Sequence, residues 1–493
     1  MGNVLCHVNH NLEHTAIIDG QETLTYSELR YNIKQLANAL PRYPLSQKYG
    51  LVMDQTVMSI QLFLAILEKG HAVLPVDNKQ TPAEMSRIQQ ISGITTWVVP
   101  TQKKNTNVNL FERNERMESE SCHNHDHMSL YTYDDIYHHQ HQRTEAKQDI
   151  NHKDAQPQHV QAQPTFVYQL TSGTTGYPKM ACVSLQTIIR EGHVYRSWFQ
   201  YAASDHIIAT IPLHHLYGMT GALFASLLTG STLVLCRHPT PRKVFKLSET
   251  YRSTILLSVP SFYPLLSDAH TVQQKTFQHM RFAISAGGPL PQHVSRQFKQ
   301  KTNVTILELY GSTETGAVAA HHPQRKHLEG SNGFILPDVK VKIAKDQSLV
   351  VSSPSLFHGY ITVDQEKEGH DRTSDMPGMM KAKQWHKTDD LAVLHEQQLF
   401  LKGRKTTFIN VAGRKVNPKE VEAACRTIPE IVDVVVRGKE DQLHGEIIVA
   451  EVILSAYKTV REMKTALRKQ LAAYKIPHQI LIVEEIKKSW KQS

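Results

Sequence analysis

The residues best suited to chemistry lie in one short run, Tyr168-Gln169-Leu170-Thr171-Ser172-Gly173-Thr174-Thr175-Gly176-Tyr177-Pro178-Lys179, directly after the apolar start Phe166-Val167. Gly173 and Gly176 allow positive φ and a close backbone approach to an anion, so amide N–H groups can point at phosphate oxygens. The hydroxyls of Thr171, Ser172, Thr174 and Thr175 add donors, and Lys179 adds a full positive charge. The composition is that of a loop that wraps an oligophosphate. It is not the common P-loop, because Tyr177 and Pro178 separate Gly176 from Lys179 and Pro178 would disturb the helix start. A generic Ser/Thr/Gly cluster is ordinarily a polar surface loop.

A second run, Leu309-Tyr310-Gly311-Ser312-Thr313-Glu314-Thr315-Gly316, follows the apolar segment Val304–Leu307. Tyr310 offers an aromatic face for a purine, Gly311 allows close approach, and Thr313 carries a hydroxyl for phosphate. Glu314 supplies a carboxylate, the hard oxygen ligand that Mg²⁺ requires. A lone glutamate in a loop is usually solvated surface; this one sits in a set whose members all suit a nucleotide.

The string Thr-Ser-Gly-Thr-Thr-Gly-x-Pro-Lys resembles the signature of the adenylate-forming superfamily of acyl- and aryl-CoA synthetases, peptide-synthetase adenylation domains and luciferases. Tyr310–Glu314 matches its Tyr-Gly-x-Thr-Glu element, in the expected order. The resemblance implies that Tyr310 stacks near adenine, Thr313 contacts the α-phosphate and Glu314 holds the metal. Trp385-His386-Lys387-Thr388-Asp389-Asp390-Leu391 resembles the Trp-x-x-Thr-Gly-Asp-Leu element, with Asp389 in place of glycine. Asp390 would then accept hydrogen bonds from the ribose hydroxyls. Gly403-Arg404-Lys405 matches the junction element, Arg404 contacting ribose or phosphate, with Thr407 at the hinge position that is commonly Asp or Lys.

Further pieces fall in family order. Gly413-Arg414-Lys415 opens the loop that lines the pantetheine tunnel in relatives, implicating Gly413 and Lys415 in CoA binding. Gly287 and Gly288, in Ala286-Gly287-Gly288-Pro289-Leu290, border the acyl pocket and adenine there. His215 matches the histidine near the acyl tunnel mouth, and Phe357-His358-Gly359-Tyr360 is another family-like piece. The final Ser/Asn-Gly-Lys element of relatives has no counterpart: the run ends Lys487-Lys488-Ser489-Trp490-Lys491-Gln492-Ser493. Lys488 or Lys491 is a candidate replacement for its lysine, whereas Lys475 belongs to a different, structural element.

These residues need strands and helices to present them. Ala16–Ile18 with Asp19-Gly20 reads as a strand and tight turn, and Thr25-Tyr26-Ser27-Glu28 has capping-box spacing before a helix ended by Pro41. Leu51–Met53, the apolar segment from Val57 to Glu68, and Ala72–Val76 imply a parallel βαβ unit. Later apolar runs at residues 207–211, 232–235, 254–259, 281–285 and 304–309 extend an α/β domain whose ligand loops leave strand ends. The expected organisation is a large α/β domain, residues 1–402, followed by a small mobile α+β lid, residues 403–493. From about 101 to 163 the chain is rich in Gln, His and Asn, which suits a polar surface insertion around a short ordered island at Asp134–Tyr137. The tract Cys122–His127 with His138, His139 and His141 could bind a divalent metal, although such tracts more often stay solvated.

Composition bounds the partners. The charge of +9 is spread along 493 residues, suiting polyanionic small substrates such as ATP and CoA, with at most peripheral membrane contact and no nucleic-acid partner. Five scattered cysteines without a C-x-x-C pair suit reduced thiols in a cytoplasm. No apolar run has membrane-span length, and the first residues lack a signal-peptide plan and the hydroxyl that a myristoylation site wants at its sixth position.

The resemblance implies a Mg²⁺- and ATP-dependent ligase that makes an acyl adenylate and passes the acyl group to CoA, with a medium- or long-chain fatty acid the favoured acid. Two alternatives stay open. One is an acyl- or aryl-adenylating enzyme that loads a carrier protein. The other is a nucleotide-binding relic that lost turnover with its C-terminal lysine.

Overall fold

The computed structural model describes residues 4–7, 11–41, 47–101, 129–137, 165–172, 178–269, 274–361, 384–404, 408–441 and 445–484. Its larger part is built on two sheets. In one, the strands Thr232–Leu235, His206–Ala209, Ile255–Ser258, Phe282–Ser285 and Ile306–Ser312 lie side by side and parallel. Their residues are mostly β-branched or aliphatic and buried, the run-on apolar pattern of strands covered on both faces. The other sheet sets Ser129–Thr132, Thr96–Val99, Lys48–Met53, Ala72–Asp77 and Phe166–Ser172 in parallel. It then turns antiparallel through Pro178–Ser184 and Gly359–Ile361.

The helix Val57–Glu68, apolar on nearly every side, joins Lys48–Met53 to Ala72–Asp77, and its residues are buried as such a sequence requires. The capping box at Thr25 forms as the spacing predicts: its side chain accepts from the Glu28 amide, and Glu28 accepts from the Thr25 amide. Within the polar stretch after residue 101, the ordered island is longer than the sequence suggests. Ser129–Thr132 adds an edge strand beside Thr96–Val99, and Tyr133 and Ile136 then bury themselves in the core. The His-rich tract lies outside the described residues.

Beyond Ser312 the first sheet continues as antiparallel strands: Gly316–Ala320, Phe334–Ile335, Gln398–Arg404, His386–His395, Ser348–Ser352 and Lys340–Ile343. Gly403 and Arg404 therefore sit in a strand of the large sheet. A separate sheet begins at Ile409–Val411, with Arg414–Val416, Ile431–Asp441, Gly445–Leu454 and Gln479–Ile482. The helices Pro418–Arg426 and Val460–Arg468 close a core of its own, including Val421, Val434, Ile448, Met463 and Leu467. No helix among the described residues is long and apolar enough to cross a membrane.

Candidate active site

A cavity of about 770 Å³ opens where the two large sheets and the small domain meet. The strands on either side of the glycine-rich run pair with each other: Phe166–Ser172 lies antiparallel to Pro178–Ser184, placing Thr171 opposite Lys179, and the Thr171 hydroxyl donates to the Lys179 carbonyl at 3.4 Å. Lys179 and Thr171 both line the cavity. Lys179 Nζ lies 5.2 Å from the ring centroid of Tyr360, within cation–π range. The Tyr360 hydroxyl donates to Glu314 Oε1 at 2.6 Å, and the Phe357 amide donates to the Glu314 carbonyl at 3.0 Å. Tyr360 thus ties the lysine of the first motif to the carboxylate of the second. Burial and the neighbouring Glu314 carboxylate raise its hydroxyl pKa, so it remains a donor.

The Tyr310–Glu314 run is a hairpin rather than a loop beyond a strand. The strand Ile306–Ser312 continues through Tyr310 and Gly311, turns at Thr313–Thr315 and returns as Gly316–Ala320. This changes the reason for Gly311. A Cβ there would fall 2.4 Å from the Gly316 carbonyl oxygen, so the turn itself excludes a side chain. Thr313 and Glu314 are left on the cavity wall.

A second corner forms around Asp390. The Tyr310 hydroxyl donates to its Oδ2 at 2.7 Å, and Arg404 Nε donates to its Oδ1 from the position opposite on the neighbouring strand. Asp390 is buried yet lines the cavity with Arg404. The Tyr310 ring, expected from sequence to stack near adenine, packs against the Val318–Leu399 cluster, and its hydroxyl fixes Asp390. Asp389, in the place of the expected glycine, is exposed on the cavity wall.

The small domain closes one side. Gly413 has φ +83°, and a Cβ there would lie 2.5 Å from Val259 Cγ2. Gly288, expected in an acyl pocket, faces the lid instead: a Cβ there would meet Asn410 Nδ2 at 2.6 Å. Lys415 reaches into the cavity, open to the water within it but enclosed by protein. Desolvation first, and then the Arg404 charge, lower its pKa, while Asp390 and Glu314 pull the other way. A lid lysine therefore senses both corners. Arg414 stacks 4.6 Å from the Tyr474 ring and lies 3.7 Å from Asp77.

Glu191, Tyr195, Thr210, Tyr217, Thr220, His214 and His215 also line the cavity, as does Gly287, whose φ is +88°. Burial pushes the His215 pKa down to about 4, with Arg414 adding to the shift and Asp77 opposing it, so the ring is neutral at pH 7. His214, its ring 4.3 Å away, is lowered as well by burial and by His215. Burial raises the Glu191 carboxyl to about 7.

The structure thus gathers Thr171, Lys179, His215, Gly287, Gly311, Thr313, Glu314, Asp390, Arg404, Gly413 and Lys415 around one space, with Tyr310 and Gly288 directly behind its walls. Gly173, Thr174, Thr175, Gly176, Thr407, Lys488 and Lys491 lie outside the described residues, as does the side chain of Ser172. Tyr360, Glu191 and Glu84 were not singled out from sequence. Tyr360 had a signal, since it ends the family-like piece Phe357–Tyr360; Glu191 and Glu84 are helix residues with none. Among the described residues no cluster of three or more His, Cys, Asp or Glu forms a metal cage. Mg²⁺ keeps water and phosphate ligands and needs one or two protein carboxylates, and Glu314 on the cavity wall would be one that could serve it.

The family model for AMP-binding enzymes matches residues 6–361, and that for the AMP-binding enzyme C-terminal domain matches residues 420–491. The mitochondrial malonate–CoA ligase of Homo sapiens is 30% identical over 366 residues, which cover 64% of this chain and 62% of that protein. The long-chain-fatty-acid–CoA ligase of Bacillus subtilis is 26% identical over 331 residues, 66% of this chain and 59% of that protein. The chain thus spans about three fifths of the length of the relatives it matches. A double mutant of o-succinylbenzoate CoA synthetase from Bacillus subtilis, bound with its product analogue, superposes with a TM-score of 0.80 at 19% identity over 99% of this chain and 96% of that one. The fold is that of adenylate-forming enzymes, a large N-terminal domain followed by a smaller C-terminal one.

Proposed function

This chain belongs to the AMP-binding enzyme family, and on that premise we propose that it is an acid–thiol ligase that converts a carboxylic acid to its acyl adenylate and then to its CoA thioester. The observation that carries the reading is the single cavity in which Lys179, Thr313 and Glu314 meet Asp390 and Arg404, with Gly413 and Lys415 of the small domain at its edge. A carboxylate oxygen attacks the α-phosphorus of ATP, the bond to the bridging oxygen breaks, and pyrophosphate leaves. In the second step the CoA sulfur attacks the acyl carbon and AMP leaves.

Lys179 and the hydroxyls of Thr171 and Thr313 supply charge and donors where negative charge shifts towards pyrophosphate. Glu314, steadied by Tyr360, would hold Mg²⁺, which when bound neutralises phosphate charge. Asp390, fixed by Tyr310 and Arg404, offers carboxylate oxygens to the ribose hydroxyls. His215 is neutral at pH 7 and acts as a polar wall rather than a cation. Lys79, Arg87, Arg237 and Arg414 also line the cavity, a set that suits the phosphates of CoA.

For the acid, a medium- or long-chain fatty acid is supported by the Bacillus subtilis relative, and a small acid by the human one. The chemistry of the cavity end chooses between them below. A cytoplasmic site of action belongs to the same proposal, supported by the buried free thiols of Cys182, Cys236 and Cys425. The test is a two-stage turnover: ATP and a panel of acids, with and without CoA. Acid-dependent AMP formation followed by a CoA thioester is expected. Adenylate that accumulates with CoA but is discharged by a carrier protein would replace CoA as the acceptor.

A further inference from the structure

One end of the cavity has a chemistry of its own. Glu191 and Tyr195 lie one helical turn apart on the helix Leu185–Ser197 and so face the same way. Thr210 follows the strand His206–Ala209, and Tyr217 and Thr220 come from the next turns of chain; all five line the cavity. Glu191 is buried directly under the Glu314 hairpin: a Cβ on Gly316 would lie 2.7 Å from its Oε1, and its Oε2 accepts from the Ala317 amide at 2.7 Å. The Ser355 hydroxyl bonds to the same carboxyl. Even when protonated a carboxyl group keeps acceptor sites on both oxygens, so these two donors leave room for another from the cavity.

The floor beyond is packed. A Cβ on Gly221 would fall 2.7 Å from Tyr195 Cζ and 2.8 Å from Leu257 Cδ2. The Tyr217 hydroxyl donates to the Ile284 carbonyl at 2.9 Å, fixing that ring across the sheet end, and Thr210 donates to Ser258 Oγ at 2.7 Å. Those hydroxyls are occupied by protein acceptors, but an alkyl tail entering here would lie against the Glu191 carboxyl and return no hydrogen bond to its remaining acceptor capacity. A substituted acid would return one.

We propose that this ligase selects a short carboxylic acid bearing a hydrogen-bond donor, a hydroxyl or amino group, away from its reacting carboxylate, and that Glu191 is the residue that accepts from it. The inference rests on the ligase reading and narrows the acid within it, away from long-chain fatty acids.

The experiment measures kcat/KM for AMP formation by the wild-type protein with unsubstituted acids from acetate to palmitate and with short hydroxy and amino acids of matched length. The substituted acids should exceed their unsubstituted counterparts by about tenfold or more, because a site built to bond a donor rejects the analogue lacking it. Glu191→Leu should erase that ratio, and Glu191→Gln, which keeps an acceptor oxygen, should retain part of it. Preference for palmitate, or a ratio unchanged in Glu191→Leu, overturns the inference and leaves the ligase reading intact. Silence with every acid overturns both. The wild-type panel decides the acid class even where Glu191→Leu fails to fold.

Discussion

Lys475 Nζ lies 2.8 Å from Glu84 Oε1, although the two residues are 391 positions apart and belong to different domains. The same ammonium is 2.8 Å from Glu420 Oε1 of the small domain, and all three side chains are largely buried. One lysine therefore clips the lid to the helix Pro82–Ser92, beside Arg414 and Tyr474 at the cavity edge. Tyr474, Glu420 and Glu84 raise its pKa despite the desolvation that opposes this, so it stays charged across the working pH range.

Replacing Lys475 with alanine leaves two buried carboxylates facing each other without their shared cation, although Glu84 Oε2 keeps its capping bonds from Thr81, a loss of roughly 3 kcal/mol where the pair stays buried. The lid can avoid that loss by undocking. Lys475→Ala should therefore slow thioester formation from preformed acyl adenylate by about tenfold or more, with a much smaller effect on adenylate formation. Single-turnover measurements of the two steps separate these effects. Equal losses in both would show that the contact does not select a lid position.

Gly413 gives an independent handle on the same docking. Alanine there meets Val259 Cγ2 at 2.5 Å in a backbone conformation that disfavours any side chain. Gly413→Ala should depress the CoA step about tenfold or more, and a second change, Val259→Ala, should recover part of the loss by removing the methyl groups it strikes. Failure of the double variant to recover any rate would assign the whole effect to backbone strain.

The motif order, the parallel βαβ start and the two-domain division were legible in the sequence because each rests on local pattern: contiguous strings, capping residues, and apolar runs of strand length. The contacts that complete the site were not. Tyr360 reaches Glu314 across 46 positions, and Glu84 reaches Lys475 across most of the chain. Neither residue type advertises such a partner. Gly311 was read as a glycine for close approach to a ligand; in the fold, the returning hairpin strand is what stands against a side chain there. Glu191 carries no local signal, and only the fold buries it beneath Gly316.

Tyr360 should matter through Glu314. Tyr360→Phe keeps the ring beside Lys179 and removes only the hydroxyl that donates to Oε1. A fall of about tenfold in adenylate formation is expected, with a raised Mg²⁺ requirement because the carboxylate is less firmly oriented. An unchanged Mg²⁺ titration would remove Tyr360 from the account of Glu314.

Glu191 gives a pH signature. Its folded pKa is raised by burial from 4.5 to about 7, so the native state holds a proton that the unfolded chain releases. Stability from this group is full below pH 4.5 and is lost as pH rises to about 7, by roughly 3 kcal/mol. Glu191→Gln should abolish that slope, and its stability relative to wild type should rise between pH 4.5 and 7. Parallel urea-unfolding curves for the two proteins across that range would show otherwise.

The most direct test of the central claim is acid-dependent ATP–pyrophosphate exchange with wild-type protein and Lys179→Ala. The account predicts exchange that requires both an acid and Mg²⁺ and falls by about 10²–10³ in the variant, the size expected on removing one charge-stabilising donor. Exchange that survives Lys179→Ala, or ATP binding with no exchange for any acid, would contradict it.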